Sequence, residues 1–203
     1  TEAKLNTNYN FKSKDVTLLR NEMQLSSNQK SSIINNDDST LYQTERFKYY
    51  INDKILKGQK VKVITNYSKP KSDTAFFKNG IFDFNKKIFN AKNTKIYFHN
   101  ELFDKERISA SNLTEEEKIK AEKFKGQNNP RIYGVSSNGN ETKTIINKGV
   151  FTSCKMNDSC PPWSMKAKTL THDKIKKNII YDHAIINLFD IPVFYFPKFF
   201  HPD

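Results

Sequence analysis

The sequence predicts an all-β fold of stacked antiparallel hairpin repeats, an elongated β-jellyroll, and three observations carry that expectation. Apolar and polar residues alternate with a period of two in many places, whereas helical periodicity is almost absent. Two stretches repeat at a constant offset of 33 residues, Tyr49 to Gly58 against Phe82 to Ala91. Hydrophobic residues make up only 36% of the 203, but 16 Phe and 9 Tyr give each buried position a large side chain. A layered sheet, which buries one face per rung, suits so thin an apolar supply. Aromatic content with little Gly and Pro argues against a wholly disordered chain.

Taken in order, a loose copy of the repeat begins at Phe11, with Lys14-Asp15 at its turn. Asp37-Asp38 lies in a polar stretch and reads as a loop. Each clear copy then reads as strand, polar turn, strand and a small residue before the next strand. Asn52-Asp53 and Asn85 suit the turns, because Asn and Asp tolerate left-handed geometry and bond their own backbone. Val61 and Val63 alternate with Lys60 and Lys62, Phe82 and Phe84 flank Asp83, and Ile96 and Phe98 flank Tyr97. One face is apolar and the other mostly charged, as in half-buried strands.

Thr114 followed by Glu117 is a capping-box signal for one short peripheral helix, ending near Phe124 before Gly126. Gln127 to Pro130 and Ser136 to Glu141 read as loops. Trp163, Met165 and Ala167 alternate with Ser164, Lys166 and Lys168, and a second loose echo runs from Leu170 to Tyr181. The expected organisation is one β-domain over 1–190 and a linker over 191–203. Hairpins that cannot bury their apolar face alone must stack. A β-sandwich or barrel with accidental self-similarity is the competing architecture.

The net charge is +12. An acidic partner is one explanation. The other is that lysines on the outer face of strands keep contact with water and discourage edge aggregation. No apolar run approaches the roughly 20 residues that span a bilayer as a helix. The chain opens at Thr1 without Met, so a processed chain whose targeting segment has been removed is expected. Cys154 and Cys160 permit a local disulfide and an oxidising compartment. The four histidines show no metal-binding spacing, so neither metal nor cofactor is expected.

No enzymatic activity is expected, because no nucleophile, base and orienting group can be named together. Glu115, Glu116 and Glu117 diverge around a helix, and His172-Asp173 and Asp182-His183 point to opposite faces of a strand. A basic β-rich nucleic-acid-binding module is the stronger rival. Its stacking platform would mix aromatic and basic residues on one exposed face. Phe82, Phe84, Ile96 and Phe98 instead share faces with aliphatic residues, so no nucleic-acid partner is expected.

The stretch Gly149-Val150-Phe151-Thr152-Ser153-Cys154, then Trp163, Lys166-Ala167 and His172-Asp173, then Ala184 and Ile191-Pro192-Val193-Phe194-Tyr195-Phe196-Pro197, resembles the junction before the barrel in the LPS-assembly outer-membrane protein family, the organic solvent tolerance proteins. That block is specific; the upstream repeats are supportive, and Ser32 to Thr44 and Leu113 to Arg131 match poorly. The resemblance implies a periplasmic β-jellyroll, lying between periplasm and outer membrane. It would receive lipopolysaccharide from a bridge protein of similar fold by strand addition and pass it to its own barrel. The barrel works with a plug lipoprotein, and 191–203 would lead into it. On that reading Val61, Val63, Phe82, Phe84, Ile88, Ile96 and Phe98 line an apolar lipid groove, although a groove and a core need the same side chains. Cys154 matches a family cysteine that in many members bonds to the barrel; a local bond to Cys160 departs from that pattern. A scaffold that binds only proteins is a further alternative.

Overall fold

A computed structural model describes residues 2–5, 9–67, 72–98, 130–154 and 162–202. They form one 15-stranded antiparallel sheet. Its strands are β1 (Glu2–Leu5), β2 (Tyr9–Ser13), β3 (Thr17–Leu19), β4 (Gln24–Ser27), β5 (Ser31–Asn35), β6 (Thr40–Thr44), β7 (Arg46–Tyr50) and β8 (Ile55–Ile64). They continue with β9 (Thr74–Asp83), β10 (Ile88–Tyr97), β11 (Arg131–Asn140), β12 (Lys143–Thr152), β13 (Trp163–Asp173), β14 (Asn178–Leu188) and β15 (Ile191–Pro202). A single 3₁₀ turn, Arg20–Glu22, joins β3 to β4. The all-β expectation is met among the described residues. The helix expected from Thr114 lies outside them.

The sheet is a meander folded along a line that crosses its strands. In β8 the inward residues are Leu56 and Gly58 before this line but Val61 and Val63 after it, so Gln59 and Lys60 both point outward. The pattern recurs in β12, where Thr144 and Ile146 give way to Gly149 and Phe151. Lys60, Asn93, Lys148 and His183 have φ of 48°, 51°, 49° and 53°. The ladders skip Lys60 opposite Lys78, Asn93 opposite Val135, Lys148 opposite Lys168, and His183 opposite Pro197, then resume in the same register. From β8 onward, one left-handed residue in every second strand thus marks a single crease across the sheet.

The inner side of such a crease has room only for small residues, and Gly58, Ala91, Gly134, Gly149, Ala167 and Ala184 sit there. A Cβ at Gly134 would lie 2.2 Å from Ile146 Cγ2, and one at Gly149 would lie 2.9 Å from Leu170 Cβ. The small residue read from the sequence repeat at Gly58 and Ala91 therefore belongs to the crease.

Folding brings the two half-sheets face to face. Tyr42, which pairs with Val63 on one half, meets Phe82 of the other at 5.2 Å between ring centroids. Phe98 meets His172 at 5.0 Å edge-on, and Phe151 meets Tyr181 at 6.3 Å. The buried side chains form two clusters, one centred on Phe11, Leu56 and Phe82 and the other on Ile132, Leu170 and Tyr181.

The repeat at offset 33 is a repeat of hairpins with four-residue turns, Ile51–Lys54 and Phe84–Lys87, with a further copy at 174–177. The last turn residue is left-handed in each, at Lys54, Lys87 and Lys177. The residue before the turn supplies the cap in two of them. Asp83 Oδ1 accepts from the N–H groups of Asn85 and Lys86 at 3.0 and 2.8 Å, and Asp173 Oδ1 accepts from Ile175 and Lys176 at 3.2 and 3.0 Å.

Three expectations need correction. Lys14-Asp15 is not a hairpin turn: it lies at the crease between β2 and β3, both of which run beside the same neighbouring strand pair, β5 and β4. Ser136 to Asn140 is strand, because its backbone pairs with β10 and β12 whatever its side chains; only Glu141 and Thr142 turn. Residues 191–202, expected as a linker, form β15, paired along the length of β14. Its prolines are tolerated because β15 is an edge strand. Pro197 also sits where the crease already interrupts the ladder.

Candidate functional site

The interior between the half-sheets collects most of the residues expected to line a groove. Val61, Val63, Phe82, Ile96 and Phe98 are buried, and Phe84 is half-buried against the first cluster. Val61, Val63 and Phe82 belong to the first cluster, Ile96 and Phe98 to the second. Ala75 touches both, so the two are continuous.

Ile88 does not join them. It is 41% exposed on the outer face, because the β9–β10 register sets Phe82 opposite Phe89 and Ile88 opposite Asp83. Phe89 packs inward instead, 6.2 Å from Phe82, and Leu56 occupies the matching position of the earlier hairpin with no exposed surface. Counting back by two from Gly58 and Ala91 identifies both. Sequence reading also missed Ile132, Ile146, Leu170 and Tyr181, all fully buried and each one strand further along.

Aromatic rings fill the first cluster. Phe84 contacts Tyr9, Tyr42 and Tyr49 at 5.2, 5.3 and 6.2 Å. Burial pushes the Tyr42 phenol well above its ordinary range and raises Tyr49 to about 12. In the second cluster burial likewise raises Tyr181, whose Oη lies 2.7 Å from His201 Nε2. Such phenols stay neutral, which keeps the interior apolar with a few hydrogen-bonding tips.

Cys154 carries a free, buried thiol whose Sγ donates to the Trp163 carbonyl at 3.6 Å. Thr152 Oγ1 donates to the same carbonyl at 2.8 Å, and the Cys154 N–H donates to Thr152 Oγ1. The buried Arg131 guanidinium donates to the Cys154 carbonyl. Cys160 lies outside the described residues. Among those described, no three His, Cys, Asp or Glu side chains gather as metal ligands.

The last strand differs from the interior strands. Phe194, Tyr195 and Phe200 of β15 are 62%, 56% and 68% exposed, on a strand that pairs only with β14 among the described residues. A second outer feature is an aromatic and basic patch. Phe76 and Tyr97 meet edge-on at 5.8 Å, with Lys62 over Phe76 and Lys95 over Tyr133 at 5.9 and 5.8 Å.

No family model and no curated protein matches this chain. The geometry therefore defines a class, an open, folded antiparallel meander with an apolar interior, whose end strands each have one partner among the described residues. Function has to be argued from its surfaces. No helix among the described residues is long and apolar enough to cross a membrane.

Proposed function

We propose that this chain is the periplasmic β-module of an LPS-assembly outer-membrane protein, sheltering lipopolysaccharide chains between its half-sheets on the way to a barrel. The observation that carries the reading is the continuous apolar interior of a sheet open at both end strands. An acyl chain of about a dozen carbons resists water by roughly 10 kcal/mol, at about 0.8 kcal/mol per methylene. A lipid with several chains therefore needs a sheltered path, and similar rungs strand after strand supply sites of similar energy.

The end strands suit docking. A bridge protein of similar fold would add its edge strand to one end, and the exposed aromatic β15 at the other end would continue toward the barrel and its plug lipoprotein. Cys154, buried beside Trp163 close to that end, would bond to the barrel or to Cys160 in an oxidising compartment.

A photo-crosslinker at Phe84 tests this, with one at Ile88 as the outward-facing control. Lipopolysaccharide adducts at Phe84 and none at Ile88 are expected. Equal labelling at both positions, or none at Phe84, overturns the reading. Trp163, the single tryptophan, packs 5.8 Å from the buried Phe151 and should report lipid entry by a change in fluorescence. A protein-only scaffold would leave its fluorescence unchanged.

A further inference from the structure

We propose that the outer side of the crease between β2 and β10 is an anion site for a compact phosphorylated ligand of the sugar-phosphate class, bearing two or more phosphate groups. It lies outside the apolar interior and does not depend on the lipid reading. A cleft of about 1170 Å³ opens there, across β2, β5, β6, β8, β9 and β10. Among the described residues lining it, seven are lysines, whereas Glu45 is the single acid. Lys14, Lys30, Lys60 and Lys78 come from the crease itself, so five neighbouring strands (β2, β5, β6, β8 and β9) bring charge and hydroxyls to one place.

The floor is polar and built. Ser31 Oγ lies 2.8 Å from Ser13 Oγ, and Thr44 Oγ1 lies 2.6 and 2.8 Å from the carbonyls of Arg46 and Gln59. These three residues are buried and border the cleft. The hydroxyl protons are spent on internal bonds, which fix the floor. The lysine ammonium groups above it are the donors that match phosphate oxygens. Glu45 holds Lys60 at 2.8 Å and so restrains the charge at the rim.

Size and ring packing choose the ligand. The cleft exceeds one phosphate and fits a ligand of sugar-phosphate size or somewhat larger. It does not fit single-stranded nucleic acid, which needs exposed ring faces. Tyr97 is 7% exposed and meets Phe76 and Tyr133 edge-on, while lysines cover Phe76 and Tyr133.

The test titrates the whole chain with fructose 1,6-bisphosphate and with phosphatidylcholine vesicles carrying phosphatidylinositol 4-phosphate, with an oligothymidine as competitor. Saturable binding that weakens with added salt is expected for at least one phosphorylated probe. The probe that saturates lower distinguishes a free ligand from a lipid headgroup. Lys30→Glu/Lys78→Glu should weaken it at least tenfold, whereas Lys148→Glu/Lys168→Glu, equal in charge change but further along the crease, should not. Glu45→Gln should tighten it about threefold, a gain that misfolding cannot mimic. Equal losses in the two lysine pairs, no tightening by Glu45→Gln, or saturation by oligothymidine alone overturns the proposal.

Discussion

Strands cross the crease differently in the two parts of this sheet. From β8 onward each strand runs through it unbroken for 10 to 12 residues, with a left-handed residue in alternate strands. Before β8 the strands part there: β2 from β3, β4 from β5, and β6 from β7. The β6–β7 pair is effectively one bent strand, since both halves continue one register along β8. In this part side-chain hydroxyls take over from missing ladder bonds. Ser13 Oγ donates to the Asp15 carbonyl at 3.1 Å, Ser31 Oγ to Gln29 at 2.8 Å, and Thr44 Oγ1 to Gln59 at 2.8 Å. The bend is thus a property of the sheet, and the local sequence decides only how its backbone groups stay satisfied. The basic cleft straddles the boundary between the two parts, lined from β2, β5 and β6 on one side and β8, β9 and β10 on the other.

The largest break to this comparison comes from the shared interior. Leu56→Ala should cost about 2–5 kcal/mol in denaturant unfolding, as for a buried large-to-small change. Ile88→Ala should stay within about 0.5 kcal/mol, as for a surface change. Equal costs would undo the assignment of inner and outer faces.

Gly134→Ala comes next. Its new Cβ would meet the fully buried Ile146, so about 1–3 kcal/mol of overpacking is expected from the same measurement. A neutral result would mean that the crease is not tight in its continuous part.

An effect of pH follows from the buried phenols. Burial raises Tyr49 and Tyr97 to about 12 from an ordinary value of 10.0. The folded chain keeps protons that the unfolded chain releases. Stability from these groups is therefore complete below about pH 10 and falls as pH rises toward 12. Unfolding followed by Trp163 fluorescence across that range should show the decline, and Tyr49→Phe should make it shallower.

Turn caps give a smaller contrast. Asn140 Oδ1 accepts from the N–H groups of Thr142 and Lys143 at 3.0 and 2.9 Å, whereas Asn35 Oδ1 accepts from Asp37 alone at 3.1 Å. Asn140→Ala should cost about 1 kcal/mol, and Asn35→Ala less, in thermal melts.

The smallest effect is expected at Lys148. Its left-handed backbone disfavours a side chain, so Lys148→Gly should stabilise by a few tenths of a kcal/mol. A clear loss would mean that the lysine side chain itself matters there.

Much of this architecture was readable from the residues. Alternation around Val61-Lys62-Val63 marked the strands, and the offset of Tyr49 from Phe82 marked the hairpins. The crease was not readable, because two outward residues in a row, such as Gln59-Lys60, look like ordinary surface. That hidden step in the alternation did not displace Ile88; matching Ile88 to Ile55 along the repeat did, since both stand one residue off the inward Phe89 and Leu56. Ser136 to Asn140 misled for another reason. Its Gly, Asn and Ser composition suits a loop, yet pairing on both sides overrides local preference. The basic cleft draws on residues from Lys12 to Tyr97, a juxtaposition that only the sheet order creates.

From β9 to β14 each strand pairs only with the strands before and after it in sequence, and β15 ends the series on β14. Such a chain can zip together from any hairpin, with the β10–β11 pairing closing the longest loop of the series. It can also add strands as they emerge during synthesis, each new one templated by the last. Cohesion then resembles that of a nearest-neighbour array, in which truncating a terminal strand shortens the molecule before it unravels it.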